Sequence, residues 1–181
     1  GGGTLTVSGK FIEGDISAVV VTIGGNTCTD PSFSNNNEVQ CTIPRGSGVD
    51  LDIIITINGA ESDPYEETFS YKKPSITSIS SSEELITQGN KNIVISGENL
   101  FGDTVVVNLK NKLTDEETTC TLVSKADTSI ECTLPAGQGV HDVTVTVDGQ
   151  DSLSAAVVAY ALPVIESFDK DGLTLTLTGK N

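Results

Sequence analysis

Apolar and polar residues alternate along most of the chain. Val143, Val145 and Val147 fall on one side of an extended segment, with Thr144 and Thr146 on the other. Val19, Val21 and Ile23 repeat the pattern, as do Val105, Val107 and Leu109. A period of two marks a strand with one buried face, and no window carries the 3.6-residue stripe of an amphipathic helix. Through the middle of the chain the alternation predicts strands at 75–79, 92–97, 104–110, 118–123, 128–134, 140–147 and 152–160. Asn58-Gly59 and Asp148-Gly149 each end such a strand, and both dipeptides suit a tight hairpin whose two central residues need positive φ.

The chain also repeats itself. Cys41-Thr-Ile-Pro-Arg-Gly-Ser-Gly48 matches Cys132-Thr-Leu-Pro-Ala-Gly-Gln-Gly139, and each block leads into an aliphatic strand, Val49–Ile57 or Val140–Val147. Tyr71 and Tyr160 close the two copies, with Pro74 and Pro163 soon after. Upstream, Ser8-Gly9-Lys10 aligns with Ser96-Gly97-Glu98 and again with Thr178-Gly179-Lys180, while Asp15 and Asp103 each follow a glycine before a strand. Pro74-Ser-Ile-Thr-Ser-Ile79 and Pro163-Val-Ile-Glu-Ser-Phe168 open successive copies. The expected organisation is one copy lacking its first strand (1–73), one complete copy (74–162) and the first strands of a third (163–181). A period near 90 residues fits sandwiches on a string and exceeds the ~20–50 residues of a solenoid repeat. About seven short strands per copy describe an all-β fold of tandem immunoglobulin-like sandwiches.

Composition narrows the function classes. With 10 Lys+Arg against 25 Asp+Glu, the net charge is −15, which argues against binding a phosphate backbone. No apolar run is long enough to span a membrane, and the lack of an initiator Met and leader reads as an internal piece of a longer chain.

The four cysteines fall two to a copy, Cys28 and Cys41 in the first and Cys120 and Cys132 in the second. Pairing within each copy is the one connectivity that leaves both self-contained, and it implies an oxidising, extracellular setting. The alternative is four reduced, buried thiols. A zinc site is disfavoured by the spacing and by the single histidine.

The order of these features resembles the IPT/TIG domain: a glycine-rich strand start, Gly-Asp before a valine strand, a cysteine, then Ile/Val-x-Cys-Thr-Ile/Leu-Pro-x-Gly-x-Gly. That resemblance covers the whole chain and occurs twice. It implies an immunoglobulin-like sandwich of the E-set type, a fold found in plexin-like receptors, in Rel-type transcription factors and beside carbohydrate-active enzymes. Tandem acidic copies rich in Ser, Thr and Asn are most similar to the TIG-domain transmembrane adhesion and allorecognition receptors of social amoebae.

Little else points to chemistry. His141 is the lone histidine and, beside Asp142 and in register with Asp50, reads as a solvated strand edge, so no catalytic residue is assigned. Asp169-Lys-Asp171-Gly172 begins like a calcium loop but lacks the later ligands and reads as a turn between Phe168 and the Leu173/Leu175/Leu177 strand. No metal or cofactor is expected. Strand parity places Val20, Ile54 and Val106 outward, where polar residues are the rule, and makes them the candidate partner-binding positions. The expectation is a non-enzymatic extracellular segment of a cell-surface receptor. It would mediate adhesion or recognition through another surface protein, of the same or a different kind, and be anchored by membrane sequence outside this segment. The alternative is a structural spacer in a secreted or surface protein, carbohydrate-associated or not. The short tail is expected to need a partner to cover it, since two strands alone are marginal in water.

Overall fold

A computed structural model describes residues 2–10, 12, 15–35, 37–153 and 156–181. The chain forms two compact units, Gly1–Lys72 and Lys73–Asn181. Among the described residues regular structure is β apart from one 3-10 turn, Ile16–Ala18, whose start is capped by Asp15 accepting from the Ser17 backbone N–H at 2.9 Å.

Unit 1 contains β1 (Thr4–Ser8), β2 (Val19–Ile23), β3 (Asn26–Thr27), β4 (Thr29–Asn35), β5 (Glu38–Thr42), β6 (Ile53–Ile57) and β7 (Ala60–Glu61). They make two sheets, ordered β1-β5-β4 and β3-β2-β6-β7. The inward residues Val19, Val21, Ile23 and Val39 are buried together with Cys28 and Cys41, as the alternation requires. The strand expected over 49–57 begins only at Ile53. Asp50 takes φ 54°, with its N–H bound to Ser70 Oγ, and Leu51 pairs in an isolated bridge with Phe69. A left-handed residue breaks an extended run, so alternation alone overextended this strand.

Unit 2 contains β8 (Ser75–Ser80), β9 (Asn92–Glu98), β10 (Val105–Asn111), β11 (Glu117–Ala126), β12 (Ser129–Thr133), β13 (Val140–Val147), β14 (Gln150–Asp151) and β15 (Ala156–Ala159). β11 switches sheets part-way: its first half pairs with β10 (Lys110↔Glu117 to Val107↔Cys120) and its second half with β12. One layer is therefore β8-β9-β12-β11 and the other β11-β10-β13, with β14 and β15 on β13. Between them Ile93, Ile95, Leu109, Ile130, Val143 and Val145 are fully buried. The strands expected from the pattern are present within a few residues, although the 152–160 prediction includes 154 and 155, which lie outside the described residues. Both predicted hairpin turns have two successive positive φ values, 51° and 81° at Asn58-Gly59 and 44° and 82° at Asp148-Gly149.

The remaining strands, β16 (Val164–Asp171) and β17 (Thr174–Lys180), form an antiparallel hairpin in which every strand residue is exposed. Gly172, at φ 58°, lies in its turn, so Asp169 and Asp171 both sit on the strand that leads into a hairpin reversal. Both faces of this hairpin are uncovered within the single chain.

Candidate partner-binding surface

The partner positions read from parity lie on outer sheet faces. In unit 1, Val20 stands opposite Thr56 and Thr22 opposite Ile54, so all four share the face turned away from the buried Val19, Val21 and Ile23. Val20 is 39% exposed and Ile54 is half-buried. They sit diagonally on neighbouring strands, close enough for aliphatic side chains to form one patch. Val106 occupies the position equivalent to Val20 in unit 2, opposite Thr146. Its surroundings are polar: Asn108 Nδ2 donates to Thr146 Oγ1 at 3.1 Å, and Thr146 Oγ1 donates to Asp151 Oδ1 at 2.7 Å. Thr144 stands there at the place that Ile54 holds in unit 1. The structure therefore brings Val20 and Ile54 together and leaves Val106 on the other unit's polar face.

A second feature of unit 1 escaped the pattern reading. A groove of about 930 Å³ runs between β1 and β6, lined by Leu5, Val7, Ile53, Ile55, Ile57 and Tyr65. Those three isoleucines are only half-buried, whereas their counterparts Val143, Val145 and Val147 in unit 2 are fully covered. The outer edge of β1 pairs with no other strand among the described residues.

The sulfur chemistry differs between the units. Cys120 and Cys132 form a disulfide with Cα atoms 5.7 Å apart, linking the corner of β11 to β12. The expected Cys28–Cys41 bond is absent: both are buried free thiols that hydrogen-bond to each other. Burial, and then the contact with Cys28, pushes Cys41 up to about 12, and burial likewise raises Cys28. Here the stretch equivalent to β11 breaks at Cys28 into β3 and β4, with Asp30 at φ 53° and bulges in the β4–β5 ladder. The cysteines are one residue further apart in sequence than in unit 2, and the irregular backbone absorbs that residue beside Cys28. Two buried thiols paired by a hydrogen bond leave no polar group stranded.

His141 also departs from expectation. It is 6% exposed, stands opposite Val158 and Asn111 in its ladders, and packs edge-on to Tyr160 with ring centroids 5.4 Å apart. The solvated-edge reading fails because 141 has the same parity as the inward 143, 145 and 147. Burial lowers its pKa from the ordinary value, against the raising influence of the Gly139 carbonyl and Glu116. Asn111 shares this environment and caps the 112–116 loop, accepting from the N–H groups of Leu113 and Thr114 and donating to Gln138 O. No cluster of three potential metal ligands occurs among the described residues.

The sequence profile of the IPT/TIG domain matches residues 1–71 and again residues 74–160. This chain belongs to the IPT/TIG domain family. Among solved structures, the TIG tandem is similar to the surface glycan-binding protein PbSGBP-B from Prevotella bryantii, at 15% identity and a TM-score of 0.52, over 84% of this chain and 35% of that one. It is also similar to the plexin A4 extracellular region, domains 1 to 8, at 16% identity and a TM-score of 0.47, over 88% of this chain and 16% of that one. A third is the Bacteroides ovatus mixed-linkage glucan utilization locus SGBP-B in complex with a mixed-linkage heptasaccharide, at 17% identity and a TM-score of 0.37, over 93% and 44%. The chain spans less than half of each of these proteins.

Proposed function

We propose that this TIG tandem is an extracellular recognition segment that works by protein–protein contact, with no bond-making chemistry of its own. The observation carrying this reading is the internal contrast between equivalent outer faces. Unit 1 presents Ile54 beside Val20 where unit 2 sets Thr144 beside Val106, on a face that also carries the hydrogen-bonded Asn108 and Thr146. Burying apolar patches of this kind drives association, while a polar network at the same place resists it. The Cys120–Cys132 bond supports an oxidising compartment. The net charge of −15 disfavours nucleic acid as a partner.

In the finer reading, the parent protein is a membrane-anchored adhesion or recognition receptor of the kind found in social amoebae, and its partner is another cell-surface protein. Beads coated with the chain are expected to aggregate or to capture partner-bearing cells, and Ile54→Asp to abolish this. Unchanged capture by Ile54→Asp would overturn the reading. The likeness to PbSGBP-B supports a second role, as a spacer holding a glycan-binding domain off a surface. In that case neither wild-type beads nor the variant would aggregate.

A further inference from the structure

One end of unit 2 holds a polar pair that unit 1 does without. Asn111, at the end of β10, stands opposite His141 on β13, with Asn111 Nδ2 3.5 Å from His141 Nε2. Three other bonds fix which way the Asn111 amide faces. Its Oδ1 accepts from the backbone N–H groups of Leu113 and Thr114 at 2.8 and 3.1 Å, and its Nδ2 donates to the Gln138 carbonyl at 3.0 Å. The amide therefore turns N–H toward the ring, and Nε2 can receive it only as a neutral imidazole with its proton on Nδ1. In unit 1 the matching place belongs to Leu51. Leu51 and His141 each lie two residues before the strand residue opposite Ile23 or Leu109, and each pairs with the residue two before the closing tyrosine. The fold accepts an aliphatic residue there, so it does not call for the pair. We propose that Asn111 and His141 form a pH-operated latch, in which a proton on His141 turns the Asn111 amide over and frees the Leu113–Thr114 tip of the 112–116 loop.

An imidazolium carries N–H at both ring nitrogens. Its Nε2–H faces the Asn111 N–H, donor against donor, in a place buried from water. Half a turn of the amide gives the ring an acceptor. The same turn points N–H at Leu113 and Thr114 and takes away their shared acceptor. The base of the loop stays closed, because Asn111 N–H donates to the Glu116 carbonyl at 2.9 Å and Asp115 N–H to the Asn111 carbonyl at 3.0 Å. Release is therefore confined to the tip, where Leu113 is 91% exposed and side-chain packing does little to hold it.

Charged groups surround the pair. Asp142 lies beside His141 on β13 and is ion-paired with Lys112 at 3.0 Å, while Lys110 on β10 is paired with Asp115 at 3.2 Å and stands opposite Glu117 of β11. Burial is the largest influence on His141 and keeps the latch closed at neutral pH, against the Gly139 carbonyl and the Glu116 carboxylate, which favour the imidazolium. Tyr160, whose ring packs edge-on to His141, is itself pushed up by burial and stays neutral throughout. End loops are where sandwich domains present contacts, so an opened tip changes what this end of unit 2 can meet. The latch is independent of the outer-face reading of unit 1.

The test is amide exchange and imidazole signals read by NMR on the full chain, from neutral pH down through the titration of His141, with exchange corrected for its own pH dependence. The expected result is a loss of protection at Leu113 and Thr114 of about fivefold or more, with the same midpoint as the His141 ring signals. The core amides of Ile130 and Val145 should keep their protection through that midpoint. His141→Leu, the residue type that unit 1 uses, should leave the tip protected throughout. Asn111→Asp should do so as well, because its two carboxylate oxygens serve the backbone N–H groups and the imidazolium together. Protection at Leu113 and Thr114 that ignores the His141 titration overturns the proposal, as does a ring that stays neutral until unit 2 unfolds. The same loss in His141→Leu would assign the effect to the neighbouring carboxylates, and the same loss in Asn111→Asp would show that the amide does not turn; either overturns it. Loss shared by Ile130 and Val145 would be unfolding of the whole unit, which overturns it equally.

Discussion

Tyr160 donates its hydroxyl to the carbonyl oxygen of Pro135 at 2.7 Å, and Tyr71 does the same to Pro44 at 2.9 Å. The two bonds explain the repeated Pro-x-Gly motif. A Cβ on Gly137 would stand 2.8 Å from the Tyr160 ring, and one on Gly46 would stand 2.7 Å from the Tyr71 ring. The proline offers the acceptor, the glycine makes room for the ring, and the tyrosine ties the closing strand to the loop after the second cysteine. Tyr160→Phe should cost unit 2 about 1 kcal/mol, the net worth of one hydrogen bond, and Gly137→Ala should cost more because the ring must shift. Urea titration followed by amide signals of unit 2 checks both values, with unit 1 signals as the internal control.

Two thiols per chain are expected in denaturant, from Cys28 and Cys41, with Cys120 and Cys132 unreactive until reduced. In the folded chain the same two should label slowly. With Cys41 near 12, only about one part in ten thousand is thiolate at pH 8, and the thiolate is the reactive form. This low reactivity also lets reduced thiols persist in an oxidising compartment. Thiol titration with and without denaturant checks both statements, and a count of zero or four would contradict them.

Removing the disulfide by pairing Cys120→Ala with Cys132→Ala should destabilise unit 2 by about 2–4 kcal/mol, the usual range for loops of this length. Unit 1, which holds its cysteines as thiols, should be unaffected by a reductant. Thermal unfolding with and without reductant reads the difference.

His141 sets a pH dependence in unit 2. Its folded pKa lies below the ordinary 6.5, so the unfolded chain takes up the proton first as pH falls. The stabilisation is complete above 6.5 and is lost as pH drops through the folded value. His141→Gln should therefore flatten the fall in unit 2 stability as pH drops below 6.5, relative to wild type. Urea midpoints at several pH values give the comparison.

Repetition made the sandwich architecture legible, because Cys-Thr-x-Pro-x-Gly, the Asn-Gly and Asp-Gly turns and the closing tyrosines recur in the same order. Val20 and Ile54 were placed correctly on one outer face by counting parity. The same count, carried two residues further back from Val143, puts His141 inside. Similarity to Asp50 misled, because Asp50 lies where the unit 1 strand is interrupted by a left-handed residue. The Cys28–Cys41 pair could not be read from spacing, since one added residue and a broken strand separate thiols from a bond.

The central claim is that unit 1's outer face carries the partner contact and unit 2's does not. Binding of bead-immobilised chain to partner-bearing cells tests it most directly, comparing Ile54→Asp with Val106→Asp. The account predicts loss of binding, by at least tenfold, for Ile54→Asp and near wild-type binding for Val106→Asp, roughly the scale of burying one aliphatic side chain. Equal effects of the two substitutions, or none from Ile54→Asp, would contradict it.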